Sequence, residues 1–107
     1  MKKNREKFSS QNVAFQILNP VIDPLPNADL VIIKDVLQHI PNSDVQIILD
    51  KIKTCKFAII TNDYTDNNID TPIGGCRPIN ILLAPFNYCG VTVHEYIGKH
   101  VVFGHHA

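Results

Sequence analysis

Residues 29–35 have the sequence Asp-Leu-Val-Ile-Ile-Lys-Asp, in which four apolar residues lie between charged ones. A short, continuous apolar run of this kind is typical of a strand that is covered on both faces. We therefore predict a central strand of a parallel sheet here, and the neighbouring segments indicate what surrounds it.

Two helix-start signals follow this strand. Asp35 is followed three residues later by Gln38, which predicts a capped helical turn that Pro41 ends. Ser43 and Gln46 repeat the pattern, and the helix that they begin has apolar residues at helical spacing: Val45, Ile48, Leu49 and Ile52. The helix should therefore pack one face on the sheet.

Three further segments have the character of strands. Residues 13–18 predict a strand that is buried on at least one face, and residues 56–61 predict another buried strand. Residues 91–97 and 100–103 alternate around Gly98-Lys99, which indicates a hairpin in which Gly98 adopts a positive φ angle. The order of elements predicts a small α/β domain.

The connections differ in character. Residues 19–28 contain three prolines and should form an extended link. Residues 61–72 are almost wholly polar, which fits either a mobile lid or a binding loop, and polarity alone does not decide between them. Residues 78–84 predict a short apolar helix or turn.

Composition limits the class of protein. The 107 residues suit a basic arm at 1–11 and one domain at 12–107, and ten basic residues balance ten acidic ones. This balance gives no electrostatic reason to expect a nucleic-acid or anionic-membrane partner. The spacing of the three cysteines predicts reduced thiols in a cytoplasmic protein, and the uncharged stretch 78–94 contains two prolines, so we expect no membrane span.

Residues 13–19 and 24–41 together resemble a known family. The run Leu-Pro-Asn-Ala-Asp-Leu-Val at 25–31 and the run Asp-Val-Leu-Gln-His-Ile-Pro at 35–41 are similar to the fourth-strand region of class I S-adenosylmethionine-dependent methyltransferases. The resemblance implies the carboxyl-terminal half of a seven-stranded, Rossmann-like sheet whose full strand order is 3-2-1-4-5-7-6. Residues 57–61 resemble strand five, and the hairpin resembles strands six and seven.

The resemblance also shows what this sequence lacks. The family's first strand and the glycine-rich turn that cradles the cofactor have no counterpart, since the glycines begin at Gly74. We therefore expect the isolated chain to bind S-adenosylmethionine weakly or not at all. Without a first strand, the edge of residues 29–33 would be bare, so we expect either a homodimer or a missing amino-terminal half as partner.

The family's cofactor contacts carry over to three positions. Asn19 lies where the adenine edge would be bound, although a residue before Pro20 is equally suited to a turn. Lys34 and Asp35 follow the central strand at its carboxyl end, where ligands of doubly wound sheets bind. Asp35 also has the alternative role of helix cap.

Catalytic and substrate-binding candidates follow. Asp35 and His39 are the catalytic candidates, with His39 as a proton acceptor or, alternatively, a packed structural histidine. Arg77, Asn80 and Phe86 resemble a substrate-side segment, in which Arg77 would clamp a carboxylate or phosphate or else anchor the loop. The four histidines at 94, 100, 105 and 106 match no zinc signature, so we expect no metal site.

Two functions remain in view. One is a truncated or split methyltransferase-like protein that is inactive alone because it lacks the glycine-rich cofactor loop. The alternative is a non-catalytic, homo-oligomeric interaction or assembly protein that uses the bare sheet edge for self-pairing.

Overall fold

A computed structural model describes residues 12–106, so the predicted basic arm at 1–11 lies outside the described residues. The chain forms a small α/β fold on one four-stranded mixed sheet. Its elements are β1 (Leu30–Lys34), α1 (Asn42–Lys51), β2 (Phe57–Asp63), β3 (Gly90–Tyr96) and β4 (Lys99–His105), with short 3-10 turns at Leu37–His39 and Ile52–Thr54.

The sheet has the strand order β1-β2-β4-β3. β1 runs parallel to β2, with Leu30 opposite Phe57, whereas β4 is antiparallel to both β2 and β3. The prediction that β1 is central is therefore wrong, because no strand among residues 12–106 pairs with its outer side. Two of its apolar side chains are accordingly open to solvent, Leu30 at 44% and Ile32 at 66% exposure.

The strand predicted at residues 13–18 is also absent. An apolar run forms a strand only where a neighbouring strand supplies ladder hydrogen bonds, and residues 13–18 do not join the sheet that forms within residues 12–106. Ile17 is 73% exposed, so the apolar character that suggested a strand does not reflect burial in the core.

α1 packs the core against one face of the sheet. Val45, Ile48 and Leu49 are buried, as is Ile52 in the 3-10 turn that follows, which confirms the predicted helical spacing. These residues join a cluster formed with strand and loop side chains: Ala58, Ile60, Ile79, Ile81, Phe86 and Val102. No helix in the described part of the chain is long and apolar enough to cross a bilayer.

The start of α1 differs from the predicted capping box. The helix begins at Asn42 after Pro41, and no side chain caps it from within its own first turn. Instead, the Asn42 N–H donates to Asp70 Oδ1 at 2.9 Å, so a residue from the polar loop caps the helix. The N–H of Asn42, and to a lesser extent that of Thr71, hydrogen-bonds the Asp70 carboxylate and lowers its pKa.

The β3–β4 hairpin confirms the predicted turn at Gly98. Tyr96 lies opposite Lys99, and the two residues between them, Ile97 and Gly98, have φ angles of 46° and 73°. Two positive φ angles are the mark of a type I′ turn, which glycine adopts freely and a β-branched residue does not. Ile97 is nevertheless 94% exposed, so its side chain gains little packing in return.

Replacing Ile97 by asparagine should stabilise the fold by about 1 kcal/mol, because Asn-Gly suits a type I′ turn and relieves the left-handed strain. Urea unfolding monitored by circular dichroism measures the change. Val93→Asn, at an exposed position within β3, is the matched control and should give no gain. An unchanged or lower midpoint for Ile97→Asn would contradict this interpretation.

Candidate functional site

An ion-pair cluster lies where the carboxyl ends of β1 and β2 meet. Lys99, the first residue of β4, donates through Nζ to Asp35 Oδ1 at 2.8 Å and to Asp63 Oδ1 at 2.6 Å. Asp35 and then Asp63 raise the pKa of the Lys99 ammonium above its usual range. Lys99 therefore stays protonated at neutral pH and balances charge at this edge, and it does not act as a base.

Asp35 is held in a left-handed conformation with φ of 57°, which aspartate tolerates better than most residues. Its N–H donates to Thr61 O at 2.8 Å, and its carboxylate is paired with Lys99 rather than capping the next turn. Gln38 is buried, and its Oε1 accepts from the Asp63 N–H at 2.9 Å. The predicted turn exists, but the reciprocal capping predicted for Asp35 and Gln38 is wrong.

The other two cofactor candidates lie close to β1 in the chain. Lys34 is the exposed last residue of β1. Asn19 forms a turn, because its Oδ1 accepts from the Val21 N–H at 3.0 Å and its own N–H donates to Asp23 Oδ2 at 2.8 Å. These bonds give Asn19 the turn role that was the alternative to adenine binding.

His39 is exposed and contacts the glycine pair of the loop. Its Nδ1 lies 3.2 Å from Gly75 O, and its carbonyl accepts from the Gly74 N–H at 3.3 Å. The imidazole thus helps to position this loop while one ring nitrogen remains available on the surface.

Arg77 is 3% exposed and ties the polar loop to the turn before α1. Its guanidinium donates to four acceptors at 2.7–3.0 Å, which are Ile69 O, Leu37 O, Ile40 O and Asn42 Oδ1. Burial lowers the pKa of Arg77, although arginine stays charged in proteins. These contacts make Arg77 a loop anchor and leave it poorly placed to clamp a substrate anion.

The remaining substrate candidates are also interior. Asn80 is buried, and its Oδ1 accepts from the Leu82 N–H while its Nδ2 donates to Thr65 O. Phe86 is 6% exposed and belongs to the core cluster. Asn68 donates to the carbonyls of Asn80 and Ala84, so the loop at 61–72 is fastened by its own polar side chains.

The structure therefore brings Asp35 into the ion-pair cluster, leaves Lys34 exposed at the end of β1, and places Arg77, Asn80 and Phe86 inside the loop and core. Asp63 and Lys99 were not predicted from the sequence. Topology offers the signal that could have found them: the first residue after a hairpin turn lies at the carboxyl edge of the strand with which it pairs antiparallel.

A buried polar pair lies one residue further inside the sheet. Asn62 and His100 are directly opposite each other across β2 and β4, each 1% exposed, and none of their side-chain nitrogen or oxygen atoms has a hydrogen-bond partner. The Tyr64 ring covers His100 edge-on at 5.3 Å between centroids. Burial lowers the pKa of His100, so its imidazole is neutral at neutral pH.

Two surface depressions flank these groups. A groove of about 400 Å³ runs along β1 on the helix side, and it is lined mainly by apolar residues that include Leu25, Ile33, Val36 and Ile48. A second depression of about 380 Å³ lies at the hairpin tip between Tyr64 and Lys99. The groove is the larger apolar surface and adjoins the carboxyl end of β1.

The histidines do not form a shared site. His94 and His105 are exposed, whereas His106 hydrogen-bonds the Tyr88 hydroxyl through Nε2 and the Cys55 carbonyl through Nδ1. Residues 12–106 contain no group of three or more histidine, cysteine or acidic side chains placed to hold a metal ion. All three cysteine thiols are free.

Comparison with known proteins gives no relative: no family model, no curated protein and no solved structure matches this chain.

Replacing Arg77 by methionine should lower the free energy of unfolding by about 3 kcal/mol or more, because several buried carbonyl acceptors lose a charged donor. Urea unfolding measures this loss. Lys53→Met is the control, since Lys53 pairs with Asp50 on the exposed helix surface and should cost less than about 1 kcal/mol. If Arg77 were held ready for substrate instead, its replacement would leave stability unchanged.

Stability should fall as the pH drops below about 6.5, the ordinary histidine value. The folded-state pKa of His100 is depressed, so the unfolded chain binds a proton first; the stabilisation is complete above the unfolded pKa and is lost as the pH falls towards the folded one. One such proton gives a slope of at most about 1.4 kcal/mol per pH unit.

Urea unfolding between pH 7.5 and 5 measures this slope. His100→Gln should flatten it, whereas His94→Gln, on an exposed strand residue, should not. An identical slope in wild type and His100→Gln would show that burial of His100 does not control the response to acid.

Proposed function

We propose that this chain is a truncated or split class I S-adenosylmethionine-dependent methyltransferase-like protein, corresponding to the carboxyl-terminal half of that sheet. The strand order supports the proposal. In the family, the strands of this half lie in the order 4-5-7-6, and here residues 30–34, 57–63, 99–105 and 90–96 lie side by side in that order.

The strand directions agree as well. β4 is antiparallel to both of its neighbours, so β3 runs in the same direction as β1 and β2. The last strand of the chain is thus inserted, reversed, between two strands that share a direction. A plain succession of hairpins would instead place β3 next to β2.

The residues present do not fit the whole cofactor. S-adenosylmethionine has an adenine, two ribose hydroxyls, and the charged ammonium and carboxylate of its methionine part, whereas the groove beside β1 is mainly apolar and its one charged lining residue is Lys34. Asp35 is paired with Lys99, and Asn19 Oδ1 is bonded within its own turn. The described glycines with positive φ are Gly74 and Gly98, in segments remote in sequence from β1.

It follows that the chain should not transfer methyl groups by itself. A complementing polypeptide would have to provide the ribose and methionine contacts. A second candidate function, a non-catalytic homo-oligomeric assembly protein, is favoured by the exposure of β1, since Leu30 and Ile32 are 44% and 66% exposed on a strand whose outer side pairs with no strand among residues 12–106.

Titration of the ¹⁵N-labelled chain with S-adenosylhomocysteine tests the proposal. We expect amide shifts confined to Asn19 and residues 34–36, with a dissociation constant weaker than about 1 mM, because only the adenine side of the site is present. Asn19→Ala should remove the shifts, and Asn27→Ala, in the same connection and also exposed, should not.

Two results would contradict this. Micromolar binding would show that the chain holds the donor without a glycine-rich turn. Shifts that lie elsewhere in the chain would remove the methyltransferase interpretation.

A further inference from the structure

Among residues 12–106, no strand uses the row of backbone hydrogen-bonding groups on the outer side of β1. Phe57 N donates to Asp29 O at 2.7 Å and Asp35 N donates to Thr61 O at 2.8 Å. The backbone N–H and C=O groups of the odd-numbered residues of β1 therefore point towards β2. Because the backbone groups of a strand alternate in direction, those of Leu30, Ile32 and Lys34 face away from the sheet. In the described chain no strand pairs with them.

Apolar surface lies on both sides of this row. On one face of the sheet, Leu30 and Ile32 are largely open to solvent. On the other face, the 400 Å³ groove reaches from β1 to α1, where Ile48 and Ile52 form its floor. An unprotected strand edge with apolar flanks is a surface to which another strand adds readily.

We propose that a second copy of this chain occupies this edge, with the two β1 strands antiparallel about a two-fold axis through Ile32. In this register Ile32 lies opposite its own counterpart, and Leu30 lies opposite Lys34. Leu30, Ile32 and Lys34 of each copy then form hydrogen bonds to the partner through both N–H and C=O, so none of these six residues keeps an unpaired backbone group on this edge. The inference deepens the second candidate function, the homo-oligomeric assembly protein, and does not depend on the methyltransferase proposal.

Self-pairing also suits the side chains. The two Lys34 ammonium groups lie at opposite ends of the new ladder, separated by about four residues or 14 Å, so they do not repel strongly. Each Lys34 packs its aliphatic stem beside Leu30, and the two Ile32 side chains, the most exposed apolar groups of β1, cover each other.

The area that a stable interface needs also favours the two-fold antiparallel contact of the β1 strands. A stable interface takes about 800 Å² from each partner, which a five-residue ladder alone does not supply. A rotation about an axis perpendicular to the sheet keeps both α1 helices on one side, so the two grooves meet next to the ladder. Groove and ladder are therefore covered by one contact.

Sedimentation of the purified chain tests the proposal, with a dimer expected at micromolar to millimolar concentration. Ile32→Lys places two ammonium groups opposite each other and should yield a monomer that keeps the wild-type circular dichroism spectrum, since this position is exposed. Val93→Lys, on the other edge strand and 57% exposed, should leave the dimer intact. A monomeric wild-type chain, or a dimer that only Val93→Lys disrupts, would overturn the proposal.

Hydrogen exchange and a disulfide trap locate the contact. Raising the protein concentration should slow exchange at the amides of Leu30, Ile32 and Lys34 and leave Val31 and Ile33 unchanged, because the latter already bond to β2. In a Cys76→Ser, Cys89→Ser background, Ile32→Cys should form a symmetric disulfide with oxidised glutathione, since facing Cα atoms of such a pair lie about 5.5 Å apart.

Leu30→Cys serves as the register control, because its counterpart would be about 14 Å away and should not cross-link. Concentration-dependent protection of β3 amides instead, or cross-linking of Leu30→Cys in preference to Ile32→Cys, would show a different interface or register and overturn the proposal.

Discussion

Within residues 12–106, strand pairing uses the backbone of β1 on one side only, and much of the molecule follows from this constraint. β2 pairs with the backbone groups of residues 29, 31, 33 and 35. The side chains of Val31 and Ile33 pack against the core. The other side has no strand beside it among residues 12–106, so Leu30 and Ile32 remain exposed and the groove stays open. A five-residue strand in this position is stabilised mainly by β2, because on its inner face Val31 and Ile33 are only partly buried against the core.

The segment between β2 and β3 is held in place by polar side chains. It has no helix, and three of its residues form the hydrogen bonds that fix it: Asp70 caps α1, Asn68 donates to two carbonyls, and Arg77 donates to carbonyls of the loop and of the turn before α1. A buried guanidinium with four acceptors substitutes for the apolar contacts that a crossover helix would make. The loop is therefore a fixed part of the fold. Its polarity suggested a mobile lid or a binding loop, and neither role accounts for these structural hydrogen bonds.

Periodicity predicted the elements that are held by local and core contacts. The spacing of Val45, Ile48 and Leu49 located α1, and Gly98 located the hairpin turn, because these signals depend on residues near in sequence. The strand predicted at 13–18 is absent because apolar character alone does not place a segment in a sheet, and Ile17 is 73% exposed. Local sequence also does not reveal the ion-pair cluster. Lys99 and Asp35 are 64 positions apart in the chain, and only the order of the strands brings them together.

Completion of the sheet and self-pairing require the same atoms. A first strand of methyltransferase type would run parallel to β1 and use the N–H and C=O groups of Leu30, Ile32 and Lys34, which the symmetric dimer uses in antiparallel pairing. The two proposed states therefore exclude each other, and by mass action the proposed dimer would raise the concentration that any completing polypeptide needs. Since antiparallel pairing is slightly more stable per residue, a completing polypeptide must gain its advantage away from the ladder, in the groove or at the carboxyl edge where Asp35 and Lys99 lie.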